Sequence, residues 1–209
     1  MSQSSVDTPN AGARGAKRRL ESRRRLLAAA RKLFVTRGYH STRPQDISKA
    51  AGLGHGTFYL HFKDKRECFL AFVEEARAEV DGAIMVRAQH AKSLSEFVEA
   101  VLTAIYDFAE EHAGVLGTAL SDEAIIASGS DGVKEDTLLH RWGVEWGELL
   151  KAQAKEGLVA KDFDFPLLGQ AIVGAIHQAS NFSFSSGRSR NALVKTLTQF
   201  IVRALSPRK

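Results

Sequence analysis

The sequence has little cysteine, little proline and no long apolar run, so disulfides, helix breaks and membrane spans are not expected to shape its fold. Its single cysteine, Cys68, cannot form an internal disulfide, which favours a reducing compartment. Only four prolines occur in 209 residues, so long helices can form without interruption. No apolar run approaches the roughly 20 residues of a membrane-spanning helix, and the polar N-terminus has no signal-peptide core. We therefore expect a cytoplasmic, globular protein that makes no membrane contact.

Motifs for catalysis and metal binding are also missing. The seven histidines are scattered, and neither a phosphate-binding glycine loop nor a nucleophile elbow is present. His55 and His61 have no partner cysteine at zinc-finger spacing, so we expect no metal and no cofactor. Asp122, Glu123 and His140 can be imagined as an active site, but an acidic loop explains them better. An enzyme is therefore the weaker hypothesis.

Charge is distributed unevenly along the chain. Residues 1–66 carry fifteen Lys and Arg against four Asp and Glu, a net charge of +11, while the remainder carries −6. A basic end on an acidic remainder is typical of nucleic-acid binding. A solvated basic tail without a specific partner is the alternative. The polar first residues, rich in Ser, Gly and Ala, predict a disordered arm.

Apolar residues recur at helical spacing, and strand-like alternation is absent, which predicts an all-α fold. The first helix is expected from about residue 19 to residue 37. The stretch 45–65, QDISKAAGLGHGTFYLHFKDK, then predicts two short helices joined by a glycine turn, the second from about residue 54 or 55 to residue 62. This pattern indicates a helix-turn-helix whose second helix enters the DNA major groove.

Candidate DNA contacts surround this turn. Glycines allow close backbone approach, polar side chains can bond phosphates or base edges, and Leu60 can touch a thymine methyl. Tyr59 has an alternative role in covering the small core. The candidate set is Thr42, Arg43, Gln45, Gly54, His55, Gly56, Thr57, Tyr59, Leu60, His61, Lys63 and Lys65.

The segments AARKLFVTRGYHST and DISKAAGLGHGTFYLHFKDK resemble the DNA-binding domain of the TetR (tetracycline-repressor-like) family of bacterial regulators. The resemblance implies about nine helices, a homodimer and a C-terminal ligand-binding domain. It also implies a recognition helix from His55, a reading position at Gln45 and a phosphate-binding Lys65. Gly54 stands where serine is commoner and Gln45 where arginine is commoner, so an operator sequence cannot be carried over.

Together these observations predict three regions. Residues 1–18 are expected to be a disordered basic arm, 19–66 the helix-turn-helix domain, and 67–209 an effector-binding and dimerisation domain. Aromatic and polar residues of the last region predict a pocket for a lipophilic or aromatic organic molecule, with ordinary core packing as the alternative. The predicted pocket residues are Phe97, Tyr106, Trp142, Trp146, His177, Gln178 and Phe182.

Two apolar stripes near the C-terminus predict a dimer surface. Pairing them between two copies gives a four-helix bundle, and Gly169 and Gly174 permit close helix approach. The alternative is that both stripes are buried within one chain. The predicted interface consists of Leu168, Ala171, Ile172, Ala175, Leu193, Leu197, Phe200 and Ile201.

The expected function is a homodimeric repressor that binds a palindromic double-stranded operator and is released by a small organic effector. Three alternatives stay open within DNA binding. They are a transcriptional activator, a ligand-independent DNA-binding protein, and an architectural protein without sequence preference.

Overall fold

The computed structural model describes residues 11–120 and 137–207, and within these ranges all regular structure is helical. The all-α prediction is confirmed. Residues 1–10 of the predicted arm, together with Asp122 and Glu123, lie outside these ranges. The helices are α1 (Ala11–Arg37), α2 (Pro44–Ala50), α3 (His55–Tyr59), α4 (Lys65–Ala88), α5 (Leu94–Glu111), α6 (115–120), α7 (Leu138–Lys155), α8 (Phe165–Ser186) and α9 (Arg190–Leu205).

The chain divides into two compact units between Phe72 and Val73, inside helix α4. The sequence predicts this boundary between residues 66 and 67. The difference arises because the first turns of α4 belong to the aromatic core of the first unit. The ring centroids of Phe69 and Phe72 lie 5.1 Å and 5.9 Å from that of Phe34.

Helix α1 begins at Ala11, so residues 11–18 are helical and not the disordered arm that the sequence predicts. Gly12 and Gly15 favoured the disordered interpretation. The alanine, arginine and lysine residues around them have high helix propensity and outweigh that preference. The basic residues of this segment therefore lie on a helix.

The core of the first unit is built from α1, α2, α3 and the start of α4. Leu26, Phe34, Ile47 and Phe58 are completely buried, and Cys68 is buried with them. Burial raises the pKa of the Cys68 thiol to about 12, so this cysteine stays a protonated packing residue.

Helices α5, α7, α8 and α9 share the core of the second unit. Each begins at a side-chain cap: Ser93, Thr137, Asp164 and Ser189 accept hydrogen bonds from backbone N–H groups of the following first turn. Within the described ranges, none of the helices has the length and apolar character to span a bilayer.

Helices α7 and α8 meet backbone to backbone through glycines. A Cβ atom placed on Gly169 would lie 2.0 Å from the carbonyl oxygen of Gly143 and 2.5 Å from the amide nitrogen of Gly147. Gly169 therefore permits the close helix approach predicted from the sequence, but within one chain. Gly174 has open space around it.

Candidate nucleic-acid interface and effector cavity

Helices α2 and α3 form a helix-turn-helix whose turn depends on Gly52. This residue has a φ of 64°, and a Cβ atom there would lie 3.0 Å from a guanidinium nitrogen of Arg25. Helix α3 is shorter than the sequence predicts, because regular helix ends at Tyr59. The amides of His61 and Phe62 both bond the Phe58 carbonyl oxygen, which tightens the chain into a turn.

Helix α3 buries one face and exposes the other. Phe58 and Phe62 point into the core, whereas His55, Gly56 and Leu60 are exposed. Tyr59 is 52% exposed and lies edge-on to the His55 ring at 5.3 Å, so it does not cover the core as the alternative proposed.

The other candidate contacts divide by exposure. Arg43, Gln45, Gly54 and Lys63 are exposed, and Thr57 is half-buried. The exposed candidates around α2 and α3 are called the reading surface below. They are Arg43, Gln45, Gly54, His55, Gly56, Tyr59, Leu60 and Lys63.

Thr42 does not belong to the reading surface. Its side chain is completely buried, and its hydroxyl donates to the carbonyl oxygen of Gly38 at 2.8 Å. The hydroxyl holds the loop that follows α1, so a DNA-contacting role for this side chain is wrong. Helix α2 is capped at Arg43, whose amide donates to the Asp46 carboxylate at 3.1 Å.

His61 is only partly exposed, and its imidazole is hydrogen-bonded to a side chain of α1. The Ser22 hydroxyl donates to the Arg19 carbonyl oxygen at 2.9 Å, so its oxygen can accept from Nε2–H of His61 at 2.7 Å. Partial burial, with Arg19 and Arg23 nearby, lowers the pKa of His61. A neutral imidazole therefore joins the end of the reading surface to α1.

Lys65 fixes the connection between α1 and α2. Its ammonium donates to the carbonyl oxygen of Tyr39 at 2.9 Å and lies 4.2 Å from the centre of the Tyr39 ring. Partial burial lowers the pKa of this lysine. An ammonium has three N–H donors, so this arrangement still leaves capacity for a phosphate.

The first turns of α1 carry a dense set of exposed cations, and Arg25 ties this helix to the turn by donating to the Ala51 carbonyl oxygen at 2.6 Å. Sequence reasoning found the charge and the helix from about residue 19, but missed the helical turns at residues 11–18 that carry Arg14, Lys17 and Arg18. The set, called the basic turns below, is Arg14, Lys17, Arg18, Arg19, Arg23, Arg24 and Arg25.

The second unit contains a cavity of about 590 Å³. Residues of α4, α5, α6, α7 and α8 line it. Five of the residues predicted from the sequence contribute: Phe97, Tyr106, Trp142, Trp146 and His177.

Gln178 and Phe182 do not line this cavity. Both are exposed, with Phe182 at 56%, and the wall of α8 is formed by Asn181 and Phe184. Residues 177, 181 and 184 recur at helical spacing on one face, whereas 178 and 182 lie on the neighbouring one. Both residues were predicted from their aromatic or polar type, and their place on α8 keeps them out of the cavity wall.

Polar groups of the cavity occur at two places. The hydroxyl groups of Tyr106 and Ser180 are 2.7 Å apart. Asp81 and Glu145 also line the cavity, and both pair with Arg77. The sequence did not reveal these two carboxylates, because Asp81 of α4 and Glu145 of α7 each resemble an ordinary surface carboxylate.

The predicted dimer stripes are mostly intramolecular. Ile172, Leu197 and Ile201 are buried in the core of the second unit, and Leu168 and Leu193 pack against that core. The assignment of Ile172, Leu197 and Ile201 to an interface is wrong, because one chain already covers them. Ala171 and Phe200 are exposed and Ala175 is half-buried.

Residues 26–72 match the family model described as bacterial regulatory proteins, tetR family. The match coincides with the helix-turn-helix unit described above. These residues therefore form a tetR-family DNA-binding domain. The chain is a transcriptional regulator with a helix-turn-helix DNA-binding domain and not an enzyme.

Similarity to transcriptional regulators extends along the chain. The HTH-type transcriptional regulator YdgC of Bacillus subtilis is 23% identical over 90% of this chain and 95% of its own length. The HTH-type transcriptional activator FasR of Mycolicibacterium smegmatis is 31% identical over 43% of this chain and 41% of its own. The fatty acid degradation regulator FadR from Bacillus halodurans has the same fold, with a TM-score of 0.72, 22% identity, and coverage of 87% and 94%.

Proposed function

We propose that this tetR-family regulator is a homodimeric repressor that binds a palindromic operator and is released by a small lipophilic effector. The exposed face of α3 carries the proposal, because an outward-facing recognition helix suits the major groove. The apolar cavity of the second unit supports the effector part.

In this proposal the reading surface contacts bases, while flanking cations contact phosphates. Gln45 pairs with an adenine edge, and Leu60 contacts a thymine methyl group. Tyr59 and His55 supply hydrogen bonds from the middle of the exposed face. Lys63 and the remaining donor of Lys65 bind the phosphate strand at the edge of the groove.

The basic turns of α1 extend the phosphate-binding surface. Their cations are exposed, and the hydrogen bonds from α1 to α2–α3 hold them at a fixed position beside the reading surface. Each phosphate that they neutralise releases a condensed counterion and makes binding more salt-dependent.

A second copy is required because a palindrome is read by two recognition helices about 34 Å apart. We assign the dimer contact to the outer faces of α8 and α9 instead of the buried stripes. Exposed residues recur every three or four positions on α8: Leu167, Ala171, Gly174, Gln178 and Phe182. Phe200 of α9 is 57% exposed and adds to this dimer face. Large exposed apolar side chains favour a protein partner.

The effector acts by favouring a conformer that does not fit the operator. Helix α4 is the proposed lever, because it supplies Phe69 and Phe72 to the DNA-binding core and Asp81 and Met85 to the cavity. Linkage requires that operator DNA weakens effector binding by the same factor by which effector weakens DNA binding.

The test begins with an operator, isolated from random duplexes and used in fluorescence anisotropy. A repressor of this kind binds the operator as a dimer and loses affinity when effector is added. Calorimetric titrations of effector into free and operator-bound protein must then give reciprocal affinity changes. Equal effector affinity for both forms would refute release by an effector.

A transcriptional activator is the second candidate, because the partly matching relative FasR is named as one. Both candidates use the same DNA contacts, so the operator's position and the direction of regulation distinguish them. Transcript levels in a deletion strain decide between the two. Genes beside the operator rise on deletion of a repressor and fall on deletion of an activator.

A further inference from the structure

The lining of the cavity in the second unit is mostly apolar, and the charged side chains in it are all negative. Among its described lining residues, Asp81 and Glu145 are the only Asp, Glu, Lys or Arg side chains. The rest of the lining is dominated by aliphatic and aromatic side chains, with a few neutral polar groups. A bound molecule therefore meets two carboxylates and no lysine or arginine in the described part of the wall.

The two carboxylates share one guanidinium. Nε of Arg77 lies 3.3 Å from Oδ2 of Asp81, and a terminal nitrogen of the same guanidinium pairs with Glu145. The adjacent pair formed by Arg141 and Glu74 is neutral as a pair. Two carboxylates against one guanidinium leave a formal charge of −1 beside the cavity.

Aromatic walls stand next to this charge. Trp142 donates its indole N–H to Oδ1 of Asp81 at 3.3 Å. Trp146 also lines the cavity, with its ring 6.1 Å from that of Phe97. Aromatic rings attract organic cations through their negative faces, most strongly where water is excluded.

We propose that this cavity binds a lipophilic organic cation, with Asp81 and Glu145 as counter-charges and the tryptophans as aromatic walls. The regulatory consequence rests on the effector role proposed above, but the binding preference does not. An organic anion, such as a long-chain carboxylate, would meet repulsion and find Arg77 already paired.

Tetraphenylphosphonium and tetraphenylborate provide a matched test, because they share shape and hydrophobic surface and differ in the sign of their charge. Calorimetric titration into the full-length protein gives both affinities. We expect the phosphonium to bind at least about tenfold more tightly, within the range of a partly desolvated cation–π contact. Trp142 and Trp146 are the only tryptophans in the chain, so a change in indole emission localises binding.

Variants assign this preference to the carboxylates. Asp81→Asn combined with Glu145→Gln removes both negative charges and leaves Arg77 positive, so the preference should disappear or reverse. Glu148→Gln is the matched control, because Glu148 is exposed on the same helix and does not line the cavity. Circular dichroism checks folding, and Glu145→Gln alone, at an exposed position, should reduce the preference partially.

Three results would overturn the inference. They are phosphonium that fails to bind, borate that binds as tightly in the wild type, and an unchanged preference in the folded double variant. Operator affinity is measured separately, by anisotropy. A cation that binds as expected but leaves operator affinity unchanged would refute the effector mechanism and leave the inferred cavity chemistry standing.

Discussion

At the residue scale, exposure decides which candidates can contact DNA. Residue types and spacing identified the reading surface, and His55, Gln45 and Tyr59 are exposed as a DNA contact requires. Thr42 and His61 could not be judged from spacing. Thr42 bonds the Gly38 carbonyl oxygen and His61 bonds Ser22, and the second of these contacts joins residues 39 positions apart.

Tyr59→Ala tests the reading surface. The substitution should lower operator affinity by about 1–3 kcal/mol for each recognition helix, the usual loss for a specific contact. Stability and dimerisation should not change, because the ring is half exposed. Gel shift and thermal melting measure the two effects.

Val144→Ala is the matched control for Tyr59→Ala, because Val144 is 48% exposed on α7, outside the DNA-binding unit. It should bind the operator like the wild type. A Tyr59→Ala protein with unchanged affinity would show that the face of α3 is wrongly assigned.

At the element scale, the periodicity of apolar residues predicted most helices but not which helices pack against one another. The start of α1 was missed because a composition low in hydrophobic residues and rich in Ser, Gly and Ala favoured disorder. The buried faces of α8 and α9 were predicted as stripes, but a stripe does not reveal whether its partner is another helix or another chain. The glycine contact between α7 and α8 depends on tertiary packing that no local pattern contains.

Gly169→Ala should destabilise the second unit by about 1–3 kcal/mol, the typical cost of overpacking, because the new methyl group collides with the backbone of α7. Gly174→Ala is the control on the same helix, where a Cβ atom meets nothing within 4 Å. That change should stabilise the helix by about 0.5–1 kcal/mol, unless it disturbs the proposed dimer face. Denaturant unfolding at fixed protein concentration measures the free energy of unfolding of the two variants and of the wild type. Equal destabilisation by both substitutions would contradict the packing of α7 on α8.

The basic turns of α1 should contribute to salt dependence and not to sequence preference. Lys17→Gln with Arg18→Gln should reduce the slope of log affinity against log salt by about one for each phosphate that is no longer neutralised. The order of preference among operator variants should stay the same. Lys161→Gln, an exposed change in the second unit, is the control, and an unaltered slope would remove α1 from the interface.

At the scale of the whole molecule, the family and the all-α class followed from the sequence, because helix-turn-helix chemistry is local and specific. The cavity wall was predicted in part. Its aromatic residues stood out by type, whereas Asp81 and Glu145 resemble ordinary surface carboxylates until the helices bring them together. The proposed dimer face was the least predictable feature, since it consists of side chains that stay exposed after the chain has packed on itself.

Phe200→Glu should dissociate the dimer, because it places a charge in the middle of the proposed contact. Leu158→Glu is the control, at an apolar side chain that is 50% exposed outside α8 and α9. Sedimentation velocity should give a folded monomer for the first variant and an unchanged dimer for the second. A dimeric Phe200→Glu protein would exclude this face.

The most direct test of the central claim is selection from a random duplex library by full-length protein, with Tyr59→Ala in parallel. The account predicts that the wild type enriches an inverted repeat whose half-sites lie about one DNA turn apart, and that the variant enriches none. Absence of any enriched repeat, or the same repeat with the variant, would contradict sequence-specific reading by the exposed face of α3.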